Sequence, residues 1–113
     1  IVQFSDITIE TIVAGITSES APHVYIIPYD HHSGTNTPYL NNGNSSHFGC
    51  IVGVDRSTDE CWVAHGMSSE LCIARLELFR KSNAQLERVD ERFGEKQTRN
   101  KLQGVALLVC KSS

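Results

Sequence analysis

The sequence predicts an α+β domain in which an antiparallel sheet has short helices at one side. Three observations favour this class. Two runs of strand-forming residues, 47–54 and 60–65, flank the turn-like segment 55–59 and predict a β-hairpin. Apolar residues at helical spacing come before the hairpin, and the apolar run 104–110 follows it as a final strand. The 113 residues are enough for one domain with one modest core.

The first part of the chain predicts a strand end and one helix. Residues 1–4 are short and apolar. Four apolar residues then recur at positions i, i+3, i+4 and i+7, namely Ile9, Ile12, Val13 and Ile16. We expect Ser5 or Asp6 to cap this helix, because short polar side chains accept from the first free backbone N–H groups.

A buried strand and a long polar loop are expected next. Residues 24–27 form a short apolar run, and we expect the strand to end at Pro28 or to lie at a sheet edge, because proline cannot donate to a ladder. Residues 30–46 show no periodicity. Ordered loops of that length are commonly functional.

The C-terminal third is less clear. We predict a strand over 71–74 followed by a helix over 76–82, with one continuous helix as the alternative. Residues 87–101 predict a polar connection between this helix and the last strand. The seven basic residues here alternate with acidic ones and predict a solvated surface: Arg80, Lys81, Arg88, Arg92, Lys96, Arg99 and Lys101.

Charge and hydropathy exclude two classes of function. The formal net charge of −3 argues against a nucleic-acid-binding protein, which usually carries a basic surface. No apolar run approaches the roughly 20 residues that span a bilayer, so no membrane partner is expected. The first residues also lack a signal-peptide pattern.

Four cysteines, Cys50, Cys61, Cys72 and Cys110, are widely spaced. Their apolar neighbours favour buried free thiols in an intracellular protein. The even number also permits two disulfides, and the glycosylation triplet 44–46 points to a secreted domain, which stays as a weaker alternative.

His47 is the first candidate for chemistry. It lies where the long polar loop meets a buried strand, and such junctions often hold functional side chains. If the hairpin turn centres near Ser57, the numbers of two paired residues sum to about 114, and His65 becomes a neighbour of His47. Asp55 is eight residues away along the strand, roughly 26 Å at ~3.3 Å per residue, and cannot orient the ring.

The sequence does not favour a zinc site. The possible ligands are Asp30, His31, His32, His47 and Cys50, but their spacing matches no standard site. We therefore predict no metal and no cofactor. His31 and His32 are expected to be exposed loop histidines, and Trp62 is expected in or near the core.

Four segments, taken together and in order, resemble the C-terminal half of the actin maturation protease family. They are Tyr-Ile-Ile-Pro-Tyr-Asp at 25–30, His-Phe-Gly at 47–49 after Gly43, Arg-Lys-Ser-Asn-Ala-Gln-Leu at 80–86, and Gly-Val-Ala-Leu-Leu at 104–108. The family is similar to papain-like and bacteriocin-processing cysteine peptidases. The resemblance implies that residues 1–113 form the C-terminal, histidine-bearing part of one papain-like domain.

The resemblance also implies a function. The family is expected to be a cytoplasmic thiol protease with aminopeptidase-like action, which removes the acetylated N-terminal residue of immature actin. His47 matches the general base, and His65 or a neighbour occupies the position of the orienting residue. Phe48 stands where the family often has tryptophan.

The nucleophilic cysteine of such enzymes comes before the histidine, whereas all four cysteines here follow His47. We therefore expect the chain alone to be inactive and to need the missing N-terminal half of the domain. The alternative is a non-catalytic module or pseudo-enzyme that binds actin's acidic N-terminus through Arg80, Lys81 or Arg88. A half-domain would leave one sheet face uncovered, which predicts self-association.

Overall fold

The computed structural model describes residues 1–86 and 102–110, and within them it confirms the α+β class. The helices are α1 (Ile9–Thr17) and α2 (Leu76–Ala84), with a short 3-10 helix at Phe4–Asp6. The strands are β1 (Val2–Gln3), β2 (His23–His32), β3 (Thr37–Tyr39), β4 (Ser46–Asp55), β5 (Glu60–His65), β6 (Cys72–Arg75) and β7 (Val105–Cys110).

All strand pairs within residues 1–86 and 102–110 are antiparallel. The sheet order is β1-β7-β2-β4-β5-β6, and β3 pairs with the far end of β2. The predicted hairpin is present, and Gly49 pairs with His65 in the predicted register. A bulge between Ile51 and Gly53 shifts the register by one residue towards the turn.

One face of the sheet carries the core, and we call it the core face. Strand alternation places Ile27, Ile51 and Val63 on this face, all fully buried. Ile12 of α1 and Phe79 of α2 belong to the same cluster of buried side chains. Both helices therefore pack on the core face, which is the predicted arrangement of helices at one side.

The opposite face is apolar as well, and we call it the open face. Its large side chains are 39–47% exposed: Phe48, Val52, Trp62, Ile73, Leu107 and Val109. They come from four strands that share the sheet with β2. Trp62 was expected in or near the core, but it lies over Gly53 on this face.

The prediction that the strand ends at Pro28 is wrong. β2 continues through Pro28 to His32, in the middle of the sheet. The carbonyl of Pro28 accepts from Asn83 Nδ2 of α2 at 3.0 Å. This carbonyl lies on the edge of β2 that pairs with β7 at one end and with β3 at the other, in the gap between the two. Because no strand pairs with β2 in this gap, the missing N–H of Pro28 removes no hydrogen bond between strands.

Two further expectations at the N-terminal side are corrected. Ser5 and Asp6 belong to the 3-10 helix, and Thr8 caps α1 through a reciprocal capping box with Thr11. Residues 30–46 are not one irregular loop, because β2 extends into them and β3 returns as a short hairpin.

The choice of strand and then helix at the C-terminal side is confirmed by β6 and α2. The expected polar connection 87–101 lies outside the described residues, as do Arg88, Arg92, Lys96, Arg99 and Lys101.

A histidine cluster as candidate functional site

Three histidines from three neighbouring strands share the core face at one end of the sheet. His47 of β4 pairs with Tyr29 of β2, and His31 follows Tyr29 on the same side of β2. His65 of β5 pairs with Gly49, which lies on the same side of β4 as His47. The fold thus brings the two predicted site residues, His47 and His65, to one place.

His31 links the other two histidines. Its ring centroid is 4.3 Å from that of His65 and 6.4 Å from that of His47. Both histidines were expected in an exposed loop, but both lie in β2. His32 is exposed as expected, whereas His31 is only 4% exposed. His31 is buried because β2 extends past Pro28 and pairs with β3.

Hydrogen bonds fix the ring of His65. Its Nδ1 accepts from the backbone N–H of Met67 at 3.1 Å, so the proton of the neutral ring is on Nε2. That Nε2–H donates to Asn36 Oδ1 at 2.9 Å. The amide of Asn36 is itself oriented, since its Nδ2 donates to the carbonyl of Leu71. Asn36 therefore sets the tautomer and the orientation of His65.

Burial keeps His31 uncharged. Loss of solvent, together with the neighbouring His65 and His47, lowers the pKa of His31 to about 4. The hydroxyl of Tyr29 lies 3.1 Å from His31 Nδ1. Burial raises the pKa of Tyr29, so this hydroxyl stays protonated. At neutral pH the pair is therefore a neutral phenol beside a neutral imidazole.

Gly49 makes room for these side chains. A Cβ at this position would lie 2.3 Å from Val63 Cγ1 and 3.2 Å from Tyr29 Cε1. The ring of Tyr29 therefore passes close to the backbone of β4 and reaches the Cys72 thiol of β6, with which it hydrogen-bonds.

A buried carboxylate shapes the segment before His47. Asp30 is fully buried, and its carboxylate accepts from three backbone N–H groups at 2.9–3.0 Å, those of Asn41, Gly43 and Ser45. Gly43 has a φ of 90°, the region that glycine allows. Asp30 therefore holds the turn that leads into β4 and thereby helps to place His47.

The end of α2 completes this support. Gln85 Nε2 donates to Asp30 Oδ2 at 2.8 Å, and Ser82 Oγ accepts from the backbone N–H of Asp30 at 2.8 Å. Asn83 Nδ2 donates to the carbonyls of Pro28 and Val105, both at 3.0 Å. Three of the segments that carry the family resemblance thus contact one another around β2.

The four cysteines are free thiols. Cys61 and Cys72 are buried as expected, Cys50 is partly buried, and Cys110 is exposed, contrary to expectation. Burial raises the pKa of Cys61 to about 12 and also raises those of Cys50 and Cys72. These three are protonated thiols at neutral pH, which are poor nucleophiles.

The zinc candidates do not converge. His31 and His47 share the core face, whereas Asp30, His32 and Cys50 alternate to the other side. Among the described residues, no three His, Cys, Asp or Glu side chains are grouped so that they could hold a metal.

The arrangement provides imidazoles that are held in place beside one, His31, whose lowered pKa keeps it neutral, and a positioned imidazole is what general-base catalysis requires. The sequence led us to His47 and to its neighbour His65. It offered His31 only as a possible zinc ligand or an exposed loop histidine, and it gave no sign of Tyr29 or Asn36 as members of the cluster. The only local signal for Asn36 is its type, since asparagine tolerates the positive φ of 54° that it adopts after Thr35.

Comparisons with known proteins identify no relative: no family model, no curated protein and no solved structure matches this chain. The family resemblance therefore depends on the sequence segments alone. Neither α1 nor α2, the α-helices of the described residues, is long and apolar enough to cross a membrane.

Proposed function

We propose that this chain is the histidine-bearing part of a papain-like cysteine peptidase of the actin maturation type. The enzyme removes the acetylated N-terminal residue of immature actin in the cytoplasm. His47 acts as the general base, and the nucleophilic cysteine comes from the other half of the domain. In this chemistry a thiolate attacks the amide, and water hydrolyses the resulting thioester.

The observation that carries the proposal is the histidine cluster. His47 stands at the start of a central strand, partly exposed, beside the buried His31. His65 has both ring nitrogens engaged by Met67 and Asn36, which suits a positioning role rather than that of the base. His31 lies beside both rings, so in this proposal His65 supports His47 through His31.

The open face supports the need for a second half. An antiparallel sheet with one solvated face normally carries polar side chains there. Here that face carries Trp62, Phe48 and Leu107, each about two-fifths exposed. Exposed apolar surfaces of this kind are typical of interaction sites. We infer that the N-terminal half of the domain covers the open face.

The test is cleavage of a peptide that carries the acetylated actin N-terminus, by the protein expressed from its complete coding sequence. His47→Ala should lower kcat at least 100-fold, because general-base catalysis contributes about 10²–10⁴-fold. The matched control is His32→Ala, which changes an exposed histidine outside the cluster. Equal cleavage rates for the two variants would show that His47 is not the general base.

The cysteines favour a second candidate function for the chain by itself. Cys50, Cys61 and Cys72 have raised pKa values, and Cys110 lies at the other end of β2, opposite His23. A chain in which these three cysteines are held as thiols suits a module that binds actin's acidic N-terminus without cleaving it.

The basic residues offer one way to test this alternative. Arg80 forms an ion pair with Glu77, whereas Lys81 is exposed and Arg88 lies outside the described residues. Capture of actin by the chain should weaken with added salt and with Lys81→Glu. Salt-independent capture would argue against a charge-based binding module.

A further inference from the structure

The hairpin of β2 and β3 runs past the end of the β2–β4 ladder. The pair of Asp30 with Ser46 is the last one there, and the next residues of β2 pair with β3. We call residues 31–38 the projecting hairpin. Its base is anchored by Ser82 Oγ, which accepts from the Asp30 N–H at 2.8 Å and donates to the Tyr39 carbonyl at 2.7 Å. A two-stranded hairpin is only marginally stable by itself, so the part beyond this base depends on other contacts.

Asn36 supplies those contacts at the tip of the projecting hairpin. Its Nδ2 donates to the Leu71 carbonyl at 3.1 Å, and its Oδ1 accepts from His65 Nε2 at 2.9 Å. β3 also contacts β6, which lies at the end of the sheet order. The sheet therefore curls until the hairpin meets β6, and His31 is enclosed beneath the tip, only 4% exposed.

Among the described residues, the groups that face His31 carry no negative charge. They are the Tyr29 hydroxyl, the rings of His47 and His65, and the amide of Asn36. His32, the next residue, adds a positive charge when it is protonated. The thiol of Cys72, which hydrogen-bonds to Tyr29, is kept neutral because burial raises its pKa.

The nearest carboxylates are turned away or exposed. Asp30 is next to His31 in β2 but points to the other side of the strand, where it accepts backbone N–H groups of the 41–45 turn. Glu70, beside Leu71, and the charged side chains of α2 are exposed. A proton on His31 therefore brings a charge without a partner into the closed cluster.

Protonation of His31 thus works against the closed hairpin. Burial and the neighbouring rings of His65 and His47 lower the pKa of His31 to about 4 when the hairpin is closed, whereas a histidine in water titrates near 6.5. Between these two values the open form binds a proton that the closed form does not. Acid therefore shifts the equilibrium towards the open form.

A charge on His65 acts in the same direction. Its ring centroid is 4.3 Å from that of His31, a distance at which like charges disfavour each other. Its Nδ1 accepts from the Met67 N–H, and a protonated Nδ1 can only donate, so this hydrogen bond is lost. The bond from Nε2 to Asn36 survives protonation, but the ring that makes it is no longer held from the other side.

We propose that the projecting hairpin is an acid-opened lid over the histidine cluster, which Asn36 holds closed at neutral pH. When the lid opens, Asn36 leaves β6 and the ring of His31 enters water. This inference concerns how the cluster is covered, and it does not rest on the proposed peptidase function, because opening is measured without a substrate.

Hydrogen exchange of the protein expressed from its complete coding sequence tests the lid, with rates corrected for the intrinsic effect of pH. A detached two-stranded hairpin is marginally stable, so opening also exposes its ladder amides. Protection of residues 31–38 should fall between pH 7 and pH 5 by about 5- to 20-fold, the larger value for the full pKa difference and the smaller after solvent screening. Protection of β7, remote from the cluster, should change less than twofold.

His31→Gln should abolish this response to pH, whereas His32→Gln, at an exposed histidine of the same hairpin, should retain it. The ratio of protection at the two pH values is compared, so a general loss of stability in one variant does not mimic the result. A fall below twofold in the unmodified protein, an equal fall in β7, or a response that survives His31→Gln would overturn the proposal.

Asn36→Gly gives a second test, which needs no change to a histidine. It keeps the positive φ but removes both side-chain contacts of the tip. Protection of residues 31–38 should fall about fivefold at pH 7, the effect of losing two weak hydrogen bonds, while that of β7 stays the same. Unchanged protection of the hairpin would show that Asn36 does not hold the lid closed, and this result would also overturn the proposal.

Discussion

The two faces of the sheet are both apolar, but only one of them is covered. On the core face, Tyr29, Ile51 and Val63 are fully buried beneath α1 and α2. On the open face, Trp62 and Ile73 stand as cross-strand partners, and each is at least 40% exposed. Apolar composition alone therefore does not tell the two faces apart; the difference is that α1 and α2 cover only one of them within the described residues.

The largest expected effect is on the core face. Phe79 is fully buried, and its ring packs edge-on against Tyr29 with centroids 5.1 Å apart. Phe79→Ala should lower the free energy of unfolding by about 3–5 kcal/mol, because it leaves a cavity. Urea denaturation measures this loss. A change below about 1 kcal/mol would mean that α2 does not hold the core as described.

The second effect is the pH dependence that His31 gives to the core face. The pKa of His31 is lowered to about 4 by burial and by its histidine neighbours. Between about pH 6.5 and 4 the unfolded chain binds the proton and the folded one does not, so stability rises with pH across this window. The full shift corresponds to about 3 kcal/mol, and we expect roughly half of it after solvent screening.

Denaturation at a series of pH values checks this expectation. His31→Gln should flatten the stability profile between pH 6.5 and 4, while His32→Gln should leave the slope unchanged. His32 is exposed and makes a suitable control. Equal slopes in the two variants would show that His31 is not the group that titrates.

A smaller effect is expected where the core face meets the β2–β3 turn. Asn36→Gly keeps the positive φ but removes the acceptor for His65 Nε2. The substitution also removes the donor to the carbonyl of Leu71. We expect a loss of about 1 kcal/mol in stability, because these two hydrogen bonds near the surface are each worth about 0.5 kcal/mol, the low end of the usual range. Asn42→Gly, at an exposed position with the same φ of 54°, should cost less. If urea denaturation shows similar losses of stability for the two variants, Asn36 does not hold His65 as described.

The smallest effect on stability belongs to the open face. Trp62→Ser should change the free energy of unfolding by less than about 1 kcal/mol, because the side chain is already partly in solvent. It should nevertheless reduce self-association of the 113-residue chain, which sedimentation velocity measures. Met67→Ser, at a somewhat more exposed side chain in the turn after β5, is the control. Unchanged self-association of the Trp62→Ser variant would mean that the open face does not mediate it.

Local patterns were enough to predict much of the fold. The hairpin of β4 and β5 follows from alternation and from turn residues, and the register that these predict places His65 near His47. The prediction for Pro28 was wrong because the place of Pro28 in the sheet depends on Asn83, which is 55 residues away and donates a hydrogen bond to its carbonyl. No local signal reports such a contact.

The candidate site was predicted only in part for the same reason. The burial of His31 depends on the pairing of β2 with β3, within a segment that has no strand periodicity. Asn36 reaches His65 across 29 residues of sequence. The contacts of Asp30 with Gln85 join two segments that carry the family resemblance, a relation that the linear order does not reveal.

The central claim is that this chain supplies the base of a cysteine peptidase and not its nucleophile. The most direct measurement is covalent labelling of the complete protein with an actin N-terminal peptide that carries a thiol-reactive group, followed by mapping of the labelled cysteine. The account predicts a label on a cysteine outside these 113 residues, and its loss in His47→Ala. A label on Cys50, Cys61, Cys72 or Cys110 would contradict it.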